Sequence, residues 1–276
     1  MKNISKLIYL LKKPQFKELY TLDQLKKESS KIQNEKSVNV HMLWVYGELS
    51  NLEKISICSF VRHGYVVNLW TYGDIKYTPN GINVKDARNI LPEERIFIFN
   101  DSYAAFSDIF RFSVLTKIGG LWADTDVVCF VDSKELLDLG DNGFVVTERT
   151  QNKHRNKINS NLIYNPQPEN GNLIDIAWKF ADNYKVKNLK WGDCGPKLLT
   201  ILAKNYPRIC PSIMVPEFAN PINFWNCPDQ LISPNNSLSH FQFLHLYNEM
   251  WRRKGTDKNK KFSSDSIIGK LSDMYL

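Results

Sequence analysis

Residues Ser107 to Asp126 read SDIFRFSVLTKIGGLWADTD. From Tyr103 to Ile118 there is no Pro or Gly, and Ala104, Asp108, Arg111 and Leu115 recur at the 3.6-residue spacing of one helix face, with Ser102 placed to cap its start. Asp108 and Arg111 are therefore expected to point the same way. Gly119 and Gly120 can take the left-handed conformation that closes a helix, after which Leu121, Trp122 and Ala123 restart the chain as a strand. Strand alternation is expected to put Asp124 and Asp126 on one face. Two carboxylates held together repel, and a divalent cation removes the conflict by taking hard oxygen ligands while keeping positions for phosphate oxygens. The chemistry expected is metal-bridged diphosphate binding. Each part is ordinary on its own: an Asp-x-Asp at a strand end commonly serves a turn, and Asp and Arg three apart commonly form a surface ion pair.

Working outward, short apolar runs alternate with helical patterns. Strands are expected near 38–45, 65–70, 95–99, 121–131 and 143–147, and helices near 51–63, 103–118, 173–184 and 196–204. This order predicts an α/β fold, a single mainly parallel sheet flanked by helices, with ligands beyond the carboxyl ends of its strands. Trp44 and the two aspartates sit at such ends.

The whole constellation resembles the S-D-x-x-R, then G-G-x-Y-x-D-x-D, signature of the DXD-motif sugar transferases, the glycosyltransferase family 32 type and, more distantly, the glucosylating toxins. Trp122 stands where Tyr is usual. Val38 to Gly47, VNVHMLWVYG, is similar to the I-H-x-x-W opening of those families, and SFVRHGYVVNLWTYGD from Ser59 to Asp74 looks like a helix end, a turn at Gly64 and a second strand. WGDCGPKLLT from Trp191 to Thr200 resembles their G-P-x-x-L-T, with Pro196 suited to a first helical turn. HLYNEMWRR from His245 to Arg253 resembles their closing His-x-W segment, with Tyr247 where Trp is commoner.

The resemblance implies a GT-A fold and a metal-dependent, retaining transfer of a sugar from a nucleotide diphosphate sugar to a glycan hydroxyl. The donor implied is UDP-Gal, UDP-GlcNAc or UDP-Glc, and the acceptor a surface polysaccharide or lipid-linked oligosaccharide. It implies Asp124, Asp126 and His245 as ligands of Mn²⁺ or Mg²⁺, and His41, Trp44, Asp108, Arg111, Trp122 and Asp124 as donor contacts, with Trp44 stacked on the base. Asp126 and Asp124 carry the catalytic role beside Asp193, which with Glu148 is the candidate base and which could equally cap the helix beginning at Pro196. The region from Arg149 to Cys227 is expected to build the acceptor side. A toxin-like protein glycosyltransferase is the nearest alternative. Asp124-Thr125-Asp126-Val127 also matches the opening of haloacid-dehalogenase-type phosphatases, but Lys197 stands where their second aspartate belongs. A non-catalytic binder of sugar nucleotides or glycans is the other alternative, on which keeping both aspartates and His245 is hard to rationalise.

The 276 residues are 43% apolar, enough to bury a substantial core. Five cysteines in no C-x-x-C spacing suggest neither a disulfide framework nor a zinc site, and fit a reducing compartment. No apolar run approaches a membrane span, and MKNISKLIYLLKK is too interrupted for a signal peptide. The net charge of +7 collects at the ends, with nine lysines up to Lys36 and six basic residues from Arg252 to Lys261. The organisation expected is a basic N-terminal segment, 1–36, a GT-A catalytic domain, 37–251, and a basic C-terminal tail, 252–276. Localisation is expected to be cytoplasmic. The basic ends, and the stripe of Ile4, Leu7, Ile8 and Leu11, could lie on the inner, anionic face of a membrane. No nucleic-acid module accompanies the charge.

Overall fold

A computed structural model describes residues 37–137, 143–151, 156–183, 189–234, 237–238 and 241–276. The expected N-terminal segment, 1–36, lies outside them. The strands are β1 (Asn39–Leu43), β2 (Val66–Thr71), β3 (Asn83–Asp86), β4 (Gly120–Ala123), β5 (Val127–Cys129), β6 (Phe144–Arg149), β7 (Asn156–Asn165), β8 (Ser212–Met214) and β9 (Phe243–His245). The longer helices are α1 (Asn51–Arg62), α2 (Ala104–Lys117), α3 (Leu173–Asp182), α4 (Pro196–Asn205), α5 (Asn248–Lys254) and α6 (Ile267–Tyr275).

Seven strands form one sheet in the order β3-β2-β1-β4-β7-β6-β8, with β5 and β9 paired in a second, two-stranded sheet. The pairings from β3 to β4 and between β6 and β8 are parallel, whereas β7 runs antiparallel to both neighbours. This is the mainly parallel, helix-flanked sheet expected from the sequence. Alternation divides it cleanly: Val40, Met42, Val67, Leu69, Leu121 and Ala123 face one core, while Trp70 and Trp122 face the other with Phe106 and Phe110 of α2.

Four expectations change. Residues 121–131 are two strands, because the chain turns out of the sheet after Ala123 and pairs afresh with β9. Residues 95–99 form no strand; only Phe99 pairs, with Ser102, and Ile96 and Phe97 spend their apolar surface packing against the α2 side. Helix α2 is capped at Tyr103, one residue past Ser102, whose Oγ accepts from the Ala104 N–H at 3.2 Å. Residues 252–276 are more than a tail, since α6 buries Ile267, Ile268 and Leu271 in a third core with Leu52 and Ile55 of α1.

His41 ties this frame together. Its Nδ1 accepts from the Trp70 indole at 3.1 Å, and its Nε2 donates to the Gly119 carbonyl at 3.1 Å. The latter bond fixes the double-glycine turn, where Gly120 (φ +93) also brings its Cα so near Asn39 O that a Cβ would stand 2.8 Å away. Burial pushes the His41 pKa down to about 4. Between that value and the unfolded value of about 6.5 the unfolded chain holds a proton that the fold does not, so stability is full above pH 6.5 and falls on acidification, by about 3 kcal/mol at the limit. His41→Gln, neutral throughout, should show a urea midpoint that falls less between pH 7 and pH 4 than the wild type's. An identical slope in both proteins would mean His41 titrates normally.

Candidate functional site

The two aspartates leave the carboxyl end of β4 in a turn. The Asp124 N–H donates to Asn161 O at 2.8 Å, and the Val127 N–H returns to Asp124 O at 3.0 Å. The turn, not strand alternation, brings the carboxylates together. Beyond it Val127 pairs with His245, and the Leu246 N–H donates to Asp126 O, which sets the imidazole beside Asp126.

Asp124 is held from the sheet side. Its Oδ1 accepts from Trp122 Nε1 at 2.8 Å and lies 3.1 Å from Arg111 Nη2. Arg111 is buried: Nη1 donates to Ser160 O and lies 3.4 Å from Asp108, Nη2 donates to Ser107 Oγ, and the guanidinium rests over the Trp122 ring at 5.1 Å. Asp108 also accepts from Ser160 Oγ at 2.9 Å. Gly195 stacks on that carboxylate so closely that a Cβ there would sit 2.2 Å from Oδ1. Burial, opposed by Arg111 and reinforced by the Asp126 charge, lifts the Asp124 pKa to about 6. Burial likewise lifts Asp108 despite Arg111.

Asp126 is held from the C-terminal side. Its Oδ2 accepts from the Asn248 N–H at 2.7 Å and lies 3.3 Å from His245 Nε2. Burial would raise both the carboxylate and the cost of an imidazolium, yet their mutual attraction prevails, lowering Asp126 and raising His245. Asn220 sets the imidazole. Its Nδ2 donates to Thr147 O at 3.0 Å, so its Oδ1 is the atom that meets His245 Nδ1 at 3.0 Å and Tyr247 OH at 3.3 Å. Nδ1 therefore carries a hydrogen, and in the neutral ring Nε2 keeps a lone pair aimed at the aspartates. That is how a metal-binding histidine is usually prepared.

Ligand atoms of Asp124, Asp126 and His245 all lie within 4.8 Å of one another. Opposite ligands of an octahedral cation with bonds of about 2.1 Å stand about 4.2 Å apart, so closure around an ion needs under an ångström of movement. Asn248 Oδ1, from the residue whose N–H grips Asp126, is buried without a partner, as an acceptor awaiting a cation or its water would be. The donor set fits a divalent metal.

The remaining expected contacts divide. Trp44 is half-buried at the end of β1, its ring under the Lys258 ammonium at 5.7 Å. His41, Arg111 and Trp122 are buried and direct their polar groups to the protein. Asp193 pairs with Lys197 at 2.7 Å and does not cap α4, whose cap is Gly195. Glu148 pairs with Lys157 at 2.9 Å and is close enough to His245 to raise its pKa. Sequence reasoning missed Ser160, Asn161, Asn220 and Asn248. Buried amides and hydroxyls carry no spacing signature, although Asn and Ser clustered in an apolar strand such as INSNLIYN is a usable hint.

Residues 91–193 match the family model of the capsular polysaccharide synthesis protein, a stretch that contains α2, the double glycine and both aspartates. Two solved structures are similar. One is the PaToxG glycosyltransferase, 17% identical, matching 67% of this chain and 80% of that one with a TM-score of 0.44. The other is the apo form of the glycosyltransferase GlyE of Streptococcus pneumoniae TIGR4, 12% identical, matching 87% of this chain and 63% of that one with a TM-score of 0.42. No curated protein matches the chain. The family match spans the helix, turn and aspartates of the site, and the sheet around them is a mainly parallel, helix-flanked α/β one.

Removing Arg111 leaves the buried Asp108 and the half-buried Asp124 without their cation. Arg111→Ala should cost about 3–5 kcal/mol of unfolding free energy in urea, the usual penalty for breaking a buried ion pair from one side. A loss under about 1 kcal/mol would place Arg111 in solvent.

Proposed function

We propose that the chain is a metal-dependent, retaining glycosyltransferase that moves a sugar from a UDP-sugar, UDP-Gal, UDP-GlcNAc or UDP-Glc, to a hydroxyl of a surface polysaccharide or lipid-linked oligosaccharide. The observation that carries the reading is the convergence of Asp124, Asp126 and His245 at the carboxyl edge of the parallel strands, beside Trp44. A bound divalent cation supplies charge to neutralise the departing diphosphate. Two carboxylates and one imidazole suit Mn²⁺ better than Mg²⁺, which favours near-complete oxygen shells.

The protein's own groups do the rest. Trp44 offers its ring to the base, and Asp126 and His245 hold the diphosphate side. Asp108, kept in place by Ser160 and Arg111, lies next in line toward the Asp193 loop and is the group proposed to meet the donor sugar. Arg111 and Trp122 act one step back, holding Asp124 ionised and oriented. Among the described residues no helix is long and apolar enough to cross a membrane.

Hydrolysis of a UDP-sugar panel, with water as acceptor, tests this without knowledge of the natural acceptor. Excess EDTA should abolish turnover and Mn²⁺ restore it. Asp126→Ala should lower kcat/KM at least a hundredfold, about 2.7 kcal/mol of transition-state stabilisation. Undiminished activity in EDTA sinks the metal-dependent mechanism.

Asn220→Leu tests the preparation of His245. Loss of a partner to a ligating histidine typically weakens metal binding by about 10- to 100-fold, and Mn²⁺ affinity should fall in that range. Unchanged affinity would show that His245 needs no such partner.

A further inference from the structure

Glu53 is the third residue of α1, and its side chain is wholly buried. Its Oε2 accepts from the Ser50 N–H at 2.7 Å, closing the helix start in a capping box. Capping engages only one oxygen and works as well in water. The other, Oε1, accepts from Asn248 Nδ2 at 2.7 Å and from Lys258 Nζ at 2.6 Å. A buried carboxylate is costly unless fully matched, so the two remote donors have to be explained.

Their place in the chain supplies the explanation. Asn248 opens α5, and its backbone N–H grips Asp126. Between His245 and Asn248 the chain turns at Tyr247 in the left-handed conformation, φ 56° and ψ 62°, which a bulky residue holds only where its surroundings enforce it. On one side the Tyr247 ring lies 3.8 Å from that of His245, and its hydroxyl donates to Asn220. On the other side Glu53 fixes Asn248. This turn lets His245 Nε2 and the Asn248 N–H meet the same oxygen of Asp126. The start of α1 also holds Asn259, through the Asn51 N–H at 3.0 Å and Asn51 Nδ2 at 3.3 Å, and so anchors the segment that carries Lys258 over Trp44.

We infer that Glu53 is a positioning residue for the metal and diphosphate side of the site: by tying Asn248 and Lys258 to α1, it keeps Asp126 and His245 at cation-binding separation. This role rests on the metal-dependent reading above. Glu53→Gln keeps one acceptor for the Ser50 cap but loses the charge and the second acceptor, which frees Asn248 and Lys258. Mn²⁺ titrated into the full chain, followed by the EPR signal of the free ion, should bind about 10- to 100-fold more weakly than to the wild type. Mn²⁺ should correspondingly raise the variant's Tm by less. Should Glu53→Gln fail to fold, Glu53→Asp keeps the cap and the charge but falls short of Asn248, and the same weakening is expected. A variant less stable in urea yet binding Mn²⁺ with wild-type affinity makes Glu53 a helix cap and overturns the role. Wild-type protein that takes up no Mn²⁺ defeats the metal reading itself, and the role with it.

Discussion

Two carboxylates two residues apart, both largely removed from water, repel each other and lose hydration, and the site is built around that constraint. The solutions differ for the two groups. Asp124 is answered by Arg111 and Trp122 from the sheet side, and Asp126 by His245 and the Asn248 N–H from the C-terminal side. The outcome is asymmetric: Asp124 is lifted to about 6 while Asp126 is lowered. Two identical side chains are thereby given different readiness to bind a cation. Asp126 is the carboxylate held as an anion, and Asp124 is the one that a bound cation would draw fully into that form.

This asymmetry also explains what the sequence revealed. The sheet-side half is local: Asp108, Arg111, Trp122 and Asp124 lie within one helix, one turn and one strand, so helical spacing and the double glycine placed them correctly. Spacing could say that Asp108 and Arg111 share a face. It could not say that the face would be buried, as Arg111 is, against Ser160, Asp108 and Asp124. The C-terminal half depends on β5 pairing with β9 across more than a hundred residues. Such pairing leaves no periodic trace, so His245 was found by resemblance alone, and Asn220, Asn248 and Glu53 were not found. The paired aspartates were placed together for the wrong reason, since a turn and not a pleat joins them.

The polar strand β7 shows how far the site reaches into the fold. Asn and Ser are poor strand formers, and a pattern read for apolar alternation passes over them. In the sheet they are buried and employed: Ser160 holds both Asp108 and Arg111, and Asn161 receives the Asp124 N–H and bonds Asn220. The strand runs antiparallel beside β4, so its side chains and carbonyls reach the same turn from the opposite direction. A region expected to form the acceptor side thus contributes the wall behind Asp108 and the Asp124 turn. Local preference for strand is sacrificed there to satisfy buried charge.

Charge accounting gives the site an order of events. Asp108, Asp124 and Asp126 face one guanidinium, Arg111, and one imidazole, His245, while Lys258 is matched by the buried Glu53. Formal charge at the centre is therefore negative or, with His245 protonated, still short of positive. A nucleotide diphosphate approaching it alone would meet repulsion, because like charges among buried groups are weakly screened. A divalent cation reverses the sign locally and can be shared between the carboxylates and the phosphate oxygens. On the proposed reading cation and nucleotide would therefore favour each other's binding, and by linkage the coupling would be equal in both directions. On the proposed reading a bound cation would take the proton's place beside the Asp126 carboxylate, and His245 Nε2 would face it as a neutral ligand.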